Sequence, residues 1–268
     1  MEIDYVTDAV QSTWISSLGK YIEQFETDFA EFCQCDYAIS VSNGTVAIQL
    51  ALAAYGIGQG DEVIVPDLSF IATANAVLHV GATPVFVDVD PNNLCINPET
   101  INAAINDRTK AIIPVHLYGH PADMIAINAI AEQHNILVIE DAAEAHGAEV
   151  NGRRVGSLGN CGTFSFYGNK NLTTGEGGMI TTNNKAFAEK CKYLRDHAMS
   201  KEKRYWHTEV GYNFRMTNLQ AALGCAQLER ADEIFTEKKR IFDEYSKHLA
   251  GFKPELSLNK CYSWAKIS

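Results

Sequence analysis

Short apolar runs alternate along this chain with longer stretches whose apolar positions recur at helical spacing. The runs predict strands over Tyr37–Ser42, Glu62–Val65, Thr83–Val89, Lys110–Val115, Ile136–Ile139, Thr163–Tyr167 and Met179–Thr182. Between them, Lys20–Gln34 carries a stripe of Ile22, Phe25, Phe29 and Phe32 opposite a solvated acidic face, which predicts an amphipathic helix. Further helices are predicted over Val46–Tyr55, Pro98–Ile105, Met124–His134 and Asn184–His197, and Pro66–Thr73 opens another. Thr217–Leu249 reads as one long or broken helix with mixed charges on its outer face. Strands that alternate with helices indicate an α/β domain around a mostly parallel sheet.

Three strand ends carry candidate chemistry. Tyr37–Ser42 passes through Asn43-Gly44-Thr45 into a helix, a geometry that offers free amides and a positive dipole end to a phosphate. A plain helix cap explains these residues nearly as well. Asp141 stands where the run Ile136–Ile139 emerges, and ligands of open α/β sheets collect at the carboxyl ends of strands. A buried aspartate there suits a protonated ring nitrogen, although a cap or turn aspartate is an equal reading. Thr163–Tyr167 breaks at Gly168 into a loop with Lys170, and Gly175-Glu176-Gly177-Gly178 leads into the next strand. The glycines let the backbone pass close to a neighbour, and a lysine beside such a wall can capture a carbonyl group. Taken alone, a lysine is more often solvated. The order phosphate cup, carboxylate, amine matches the phosphate, ring nitrogen and aldehyde of pyridoxal 5′-phosphate.

Other features narrow the class. With 268 residues and 46% hydrophobic content, the chain can bury a large core in one or two domains. Its 22 Lys+Arg against 33 Asp+Glu leave a net charge of −11, which disfavours nucleic acid or an anionic membrane as main partner. No apolar run has transmembrane length, and Met1-Glu2-Ile3-Asp4 lacks the basic and apolar parts of a leader, so a cytoplasmic protein is expected. Seven scattered cysteines fit reduced thiols. His116 and His120 are four apart, but Gly119 and Pro121 break the helix that a metal-ligand pair at that spacing needs. Met199–His207 is polar, basic and aromatic, and too long for a mere connector.

The sequence resembles the pyridoxal-phosphate sugar aminotransferases of the DegT/DnrJ/EryC1/StrS family over almost its whole length. The likeness is carried by Ser16–Ile22, Ser42–Thr45, Gly60–Pro66, Glu140–Ala145, Phe164–Gly178, Arg204–His207, Gly211–Asn218 and Ala226–Arg230. It implies a fold-type I large domain over residues 1–230, with a mostly parallel sheet flanked by helices. Residues 231–268 would then be a linking helix and the start of a small C-terminal domain that relatives continue past Ser268. By the same resemblance, Lys170 holds the cofactor aldehyde as a Schiff base and shuttles a proton, and Asp141 keeps the pyridine nitrogen protonated. Gly44, Thr45 and Ser165 bind the phosphate, Phe70 stacks on the ring, and Glu144 lies close to the cofactor where many relatives carry glutamine. Asn213 reaches the phosphate of the other subunit of a homodimer. Independently of the likeness, the Met199–His207 stretch with Trp206 and His207 reads either as an exposed loop or as a lid or partner-subunit arm near the nucleotide sugar. The implied amino donor is L-glutamate, and the implied acceptor is GDP-4-keto-6-deoxy-D-mannose, aminated for surface polysaccharide. Another keto-sugar nucleotide, or an inactive cofactor-binding remnant, are the competing readings. Lys170 speaks against the related dehydrating branch, which carries histidine at that position.

Overall fold

The computed structural model describes residues 1–249 and 260–268. In chain order its strands are β1 (Tyr37–Val41), β2 (Glu62–Pro66), β3 (Thr83–Val87), β4 (Thr109–Ile112), β5 (Leu137–Asp141), β6 (Glu149–Val150), β7 (Arg153–Arg154), β8 (Cys161–Ser165), β9 (Gly178–Thr182) and β10 (Ala265–Lys266). The helices are α1 (Glu2–Gln11), α2 (Lys20–Phe32), α3 (Gly44–Ala54), α4 (Ala72–His79), α5 (Pro98–Ala104), α6 (Met124–His134), α7 (Lys185–Arg195), α8 (Asn218–Glu229) and α9 (Ala231–Leu249). The large sheet runs β1-β9-β8-β5-β4-β2-β3. Strands β3, β2, β4, β5 and β8 pair in parallel, and β9 alone is antiparallel to its neighbours β8 and β1. The predicted mostly parallel α/β sheet is thus present, and the carboxyl ends of β1, β4, β5 and β8 share one edge.

Both faces of this sheet are covered, which is why its strands are apolar at consecutive rather than alternate positions. Ile39, Val63, Val65, Ala111, Ile113, Ile139 and Ile180 pack with Ile48 and Leu52 of α3 and Phe187 of α7 on one face. On the other, Ile64, Ile112 and Val138 meet Met124 and Ile127 of α6. Further along that face, Ala38, Phe164 and Met179 meet Phe25 and Phe29 of α2 and Ala221 and Ala222 of α8. Full burial of a Phe side chain is worth about 1.5–3 kcal/mol over leaving it exposed. Phe25 and Phe29, which are completely enclosed, therefore dock α2 without help from its exposed acidic side.

Helix boundaries follow their caps. Asn43, Asn97, Asp123 and Asn184 each accept a backbone N–H with the side chain at the start of α3, α5, α6 and α7. Thr217 and Gln220 form a reciprocal capping box that starts α8. The stretch Thr217–Leu249 is a broken helix, interrupted at Arg230.

Several boundaries differ from the periodicity. β8 ends at Ser165, and Phe166 has already left the ladder to exchange hydrogen bonds with Gly177 and Thr174 of the lysine loop. β4 ends at Ile112, after which Val115 makes only an isolated bridge to Asp141. α4 begins at Ala72, so Phe70 sits in the turn before it. Helix α1 was not anticipated, and neither was the small sheet in which β6 pairs with both β7 and β10. Through β10 the segment 260–268 returns to the body of the fold, where Tyr262 stacks on Trp264 and both meet the edge of His120. Gly251–Asn259, part of the predicted C-terminal unit, lies outside the described residues.

Candidate active site

At the shared carboxyl edge of the strands lies a cavity of 560 Å³. Gly44, Thr45, Phe70, Asp141, Glu144, Ser165 and Lys170, all singled out from the sequence, line it together. Its position at the ends of parallel strands is where an open α/β sheet collects ligands.

The α3 end of the cavity is built for an anion. The first N–H groups of a helix have no intrahelical partner, and the macrodipole adds positive potential there. Asn43 takes one of these groups through its side chain, accepting from Val46 N at 3.0 Å. Gly44 lets the helix start approach β8: a Cβ at this position would lie 2.7 Å from the Ser165 Cβ. Gly44→Ala must push helix and strand apart, so we expect it to destabilise the fold by about 1–3 kcal/mol and to loosen phosphate binding. Denaturation midpoints with and without pyridoxal phosphate check this; equal midpoints to wild type in both conditions would refute it.

Asp141 is 5% exposed and meets only neutral donors among the described residues. The Thr73 hydroxyl donates to Oδ2 at 2.8 Å, and the Ala143 amide donates to Oδ1 at 3.2 Å. Burial pushes its carboxyl above the usual range, against the opposing pull of Thr73, Ala143 and Lys170. A buried carboxylate without a cation in contact is a site in need of one, and a protonated ring nitrogen supplies it.

Across the cavity, the Lys170 side chain is 17% exposed and its Nζ lies 3.2 Å from Glu144 Oε1. The other carboxylate oxygen, Oε2, accepts the Tyr118 N–H at 3.0 Å. Tyr118 belongs to a turn with φ near 52°, so an unusual backbone conformation presents that amide. Phe70 is 73% exposed at the cavity mouth, a free flat face rather than a core aromatic. Anion cup, uncompensated carboxylate, reachable amine and open aromatic face together fit pyridoxal phosphate.

Three of the predicted residues lie elsewhere in the protomer. Asn213 Oδ1 accepts from Arg215 at 2.8 Å and does not line the cavity. Trp206 is 53% exposed with Lys203 Nζ 4.4 Å from its ring centroid, and His207 bonds through Nδ1 to the His197 carbonyl at 2.8 Å. Both sit on the loop closed by the Met199–His207 bridge, outside the cavity.

Sequence reading missed Thr73, the Tyr118 turn and Glu140. Glu140 is fully buried behind Asp141 and accepts from His116 Nε2, Gly156 N, Leu158 N and Gly159 N at 2.7–3.0 Å. His116 Nδ1 accepts the Ala122 N–H at 3.0 Å, so the ring carries its proton on Nε2. His120 turns instead to the Pro121 carbonyl, and the two histidines share no partner. A charged residue closing an apolar strand was the visible signal for Glu140. No local pattern marked Thr73.

Fold and site together define a pyridoxal-phosphate-dependent sugar aminotransferase. The chain belongs to the DegT/DnrJ/EryC1/StrS aminotransferase family, whose model matches residues 1–264. It is 54% identical over 249 residues to GDP-perosamine synthase of Caulobacter vibrioides, covering 93% of this chain and 67% of that protein. With GDP-perosamine synthase of Escherichia coli O157:H7 it shares 50% identity, over 92% of this chain and 68% of the relative. The solved aminotransferase of Psychrobacter cryohalolentis superposes with a TM-score of 0.94 at 40% identity, over 99% of this chain and 72% of that one. The chain thus spans about two thirds of the length of these relatives.

Proposed function

We propose that this protein transfers the amino group of L-glutamate to the C4 keto group of GDP-4-keto-6-deoxy-D-mannose, giving GDP-perosamine. The observation that carries this reading is the cavity shared by Lys170 and Asp141, in a chain at least half identical to two perosamine synthases. The Tyr167-Gly168-Asn169-Lys170 loop and the Tyr205-Trp206-His207 segment support that narrower assignment.

When bound, the cofactor supplies an electron sink for the carbon that gains or loses the amino group. Asp141 would hold the proton on the ring nitrogen. Gly44, Thr45 and Ser165 would hold the phosphate, and Phe70 would offer its flat face to the ring. Lys170 Nζ would take up the proton from the glutamate α-carbon and, in the second half-reaction, would deliver one to the sugar's C4. Glu144, braced by the Tyr118 amide, keeps that nitrogen within reach. Asn213 reaches the phosphate of the second subunit in a homodimer. The protein acts in the cytoplasm, a setting that suits its seven free thiols.

A coupled assay with glutamate and a panel of 4-keto sugar nucleotides tests the assignment: preference for the GDP-linked acceptor supports it, and equal or better use of a UDP- or dTDP-linked one rejects it. In the same assay Trp206→Ala or His207→Ala is expected to raise KM for the nucleotide sugar roughly tenfold, the cost of one lost contact of about 1.4 kcal/mol. An unchanged KM in both variants would remove the loop from the substrate site.

A further inference from the structure

The turn before α4 joins two features of the cavity that the sequence left separate. Ser69 and Thr73 are one helical turn apart, and their hydroxyl oxygens are 3.2 Å apart. The Thr73 hydroxyl donates to Asp141 Oδ2 at 2.8 Å, so its own oxygen is left to accept from Ser69. The hydroxyls therefore line up in one direction, Ser69 to Thr73 to Asp141, and each polarises the next. Thr73 is 2% exposed, so its hydroxyl is shielded from solvent. Its backbone N–H bonds to the Phe70 carbonyl at 3.3 Å, which ties the aromatic at the mouth to the same turn.

We propose that Thr73 is a positioning residue of the aminotransferase site, which holds the Asp141 carboxylate aimed at, and charged for, the cofactor's ring nitrogen, with Ser69 reinforcing its donation. The inference rests on Asp141 facing that nitrogen. A hydrogen bond donated to a buried carboxylate favours its anionic form and opposes the upward push of burial. The other titratable groups that face Asp141 are His116 from the segment after β4 and Lys170 from the loop after β8. His116 is committed to Glu140 and Ala122, and Lys170 to Glu144. Thr73 is thus the one side chain in hydrogen-bond contact with the Asp141 carboxylate among the described residues.

The test is equilibrium binding of 4-deoxypyridoxine 5′-phosphate to the cofactor-free protein. This probe carries the ring nitrogen and phosphate but no aldehyde, so Lys170 cannot capture it. Thr73→Val is expected to weaken binding about tenfold, as loss of a hydrogen bond to a charged group would. Thr73→Ser should restore wild-type affinity to within about twofold, and in an Asp141→Ala background Thr73→Val should add less than about twofold. Should the valine variant not fold, Thr73→Ala serves in the same cycle. Wild-type affinity in Thr73→Val, with binding weakened in Asp141→Ala, overturns the role of Thr73 alone. An equal loss on both backgrounds overturns it too, because it marks a packing defect. Wild-type affinity in Asp141→Ala overturns the reading of Asp141 itself.

Discussion

Lys170→Ala is expected to lower turnover by about 10²–10⁴-fold, the range spanned by a positioned proton-transfer group, and to abolish covalent retention of pyridoxal phosphate. The structure explains why the fold should survive. Lys170 lies in a loop after β8, its amine reaches into the cavity, and among the described residues its side chain hydrogen-bonds only to Glu144. Its backbone N–H bond to the Tyr167 carbonyl is unaffected by truncation. Borohydride treatment of the loaded wild-type protein should leave a stable mass increase on the peptide containing Lys170, and none in the variant. Turnover by Lys170→Ala within threefold of wild type would show that the proton is moved by another group.

Asp141→Asn separates function from stability. A buried carboxylate that loses its role towards a cationic ring should cost cofactor affinity by about a hundredfold or more, in line with the 3–5 kcal/mol typical of breaking a buried charge pair. The cofactor-free protein should respond in the opposite sense. Asp141 has its carboxyl raised in the folded state, so the unfolded chain ionises first as pH increases. Folding stability is therefore intact below the usual aspartate range and is lost progressively as pH rises through the folded value. The asparagine variant escapes that loss. Its melting temperature without cofactor should match wild type below the usual aspartate range and exceed it once pH has risen through the folded value. Parallel melting curves at all pH values would mean that burial places no charge penalty on this site. Such a penalty is the expected counterpart of a site kept ready for a cation.

Much of this arrangement was legible in the sequence because it depends on local rules. Met124–His134 reads as a helix from its apolar spacing, and in the structure Asp123 and Asn135 cap its two ends. Asn43-Gly44-Thr45 announces a strand-to-helix turn because a small capping residue and a glycine are both required there. Phe166 was assigned to a strand because apolarity persists past Ser165; the departure from the ladder depends on Gly177, which a local window does not include. Asp141 and Lys170 could be nominated from their places after apolar runs. Their facing each other across one cavity depends on β5 and β8 being neighbours.

The sequence alone determined the element types, the strand ends at which chemistry is possible, and the kinds of groups offered there. These follow from periodicity, capping and side-chain chemistry, all of which act over a few residues. Tertiary structure alone decided the contacts that span long separations: Thr73 on Asp141, the Tyr118 amide on Glu144, Glu140 binding the loop before β8. It also set how deeply each group is buried. Hydrogen bonds and desolvation depend on distances in space, and a chain that has not yet crossed its sheet does not specify which distant residues will lie within 3 Å of one another.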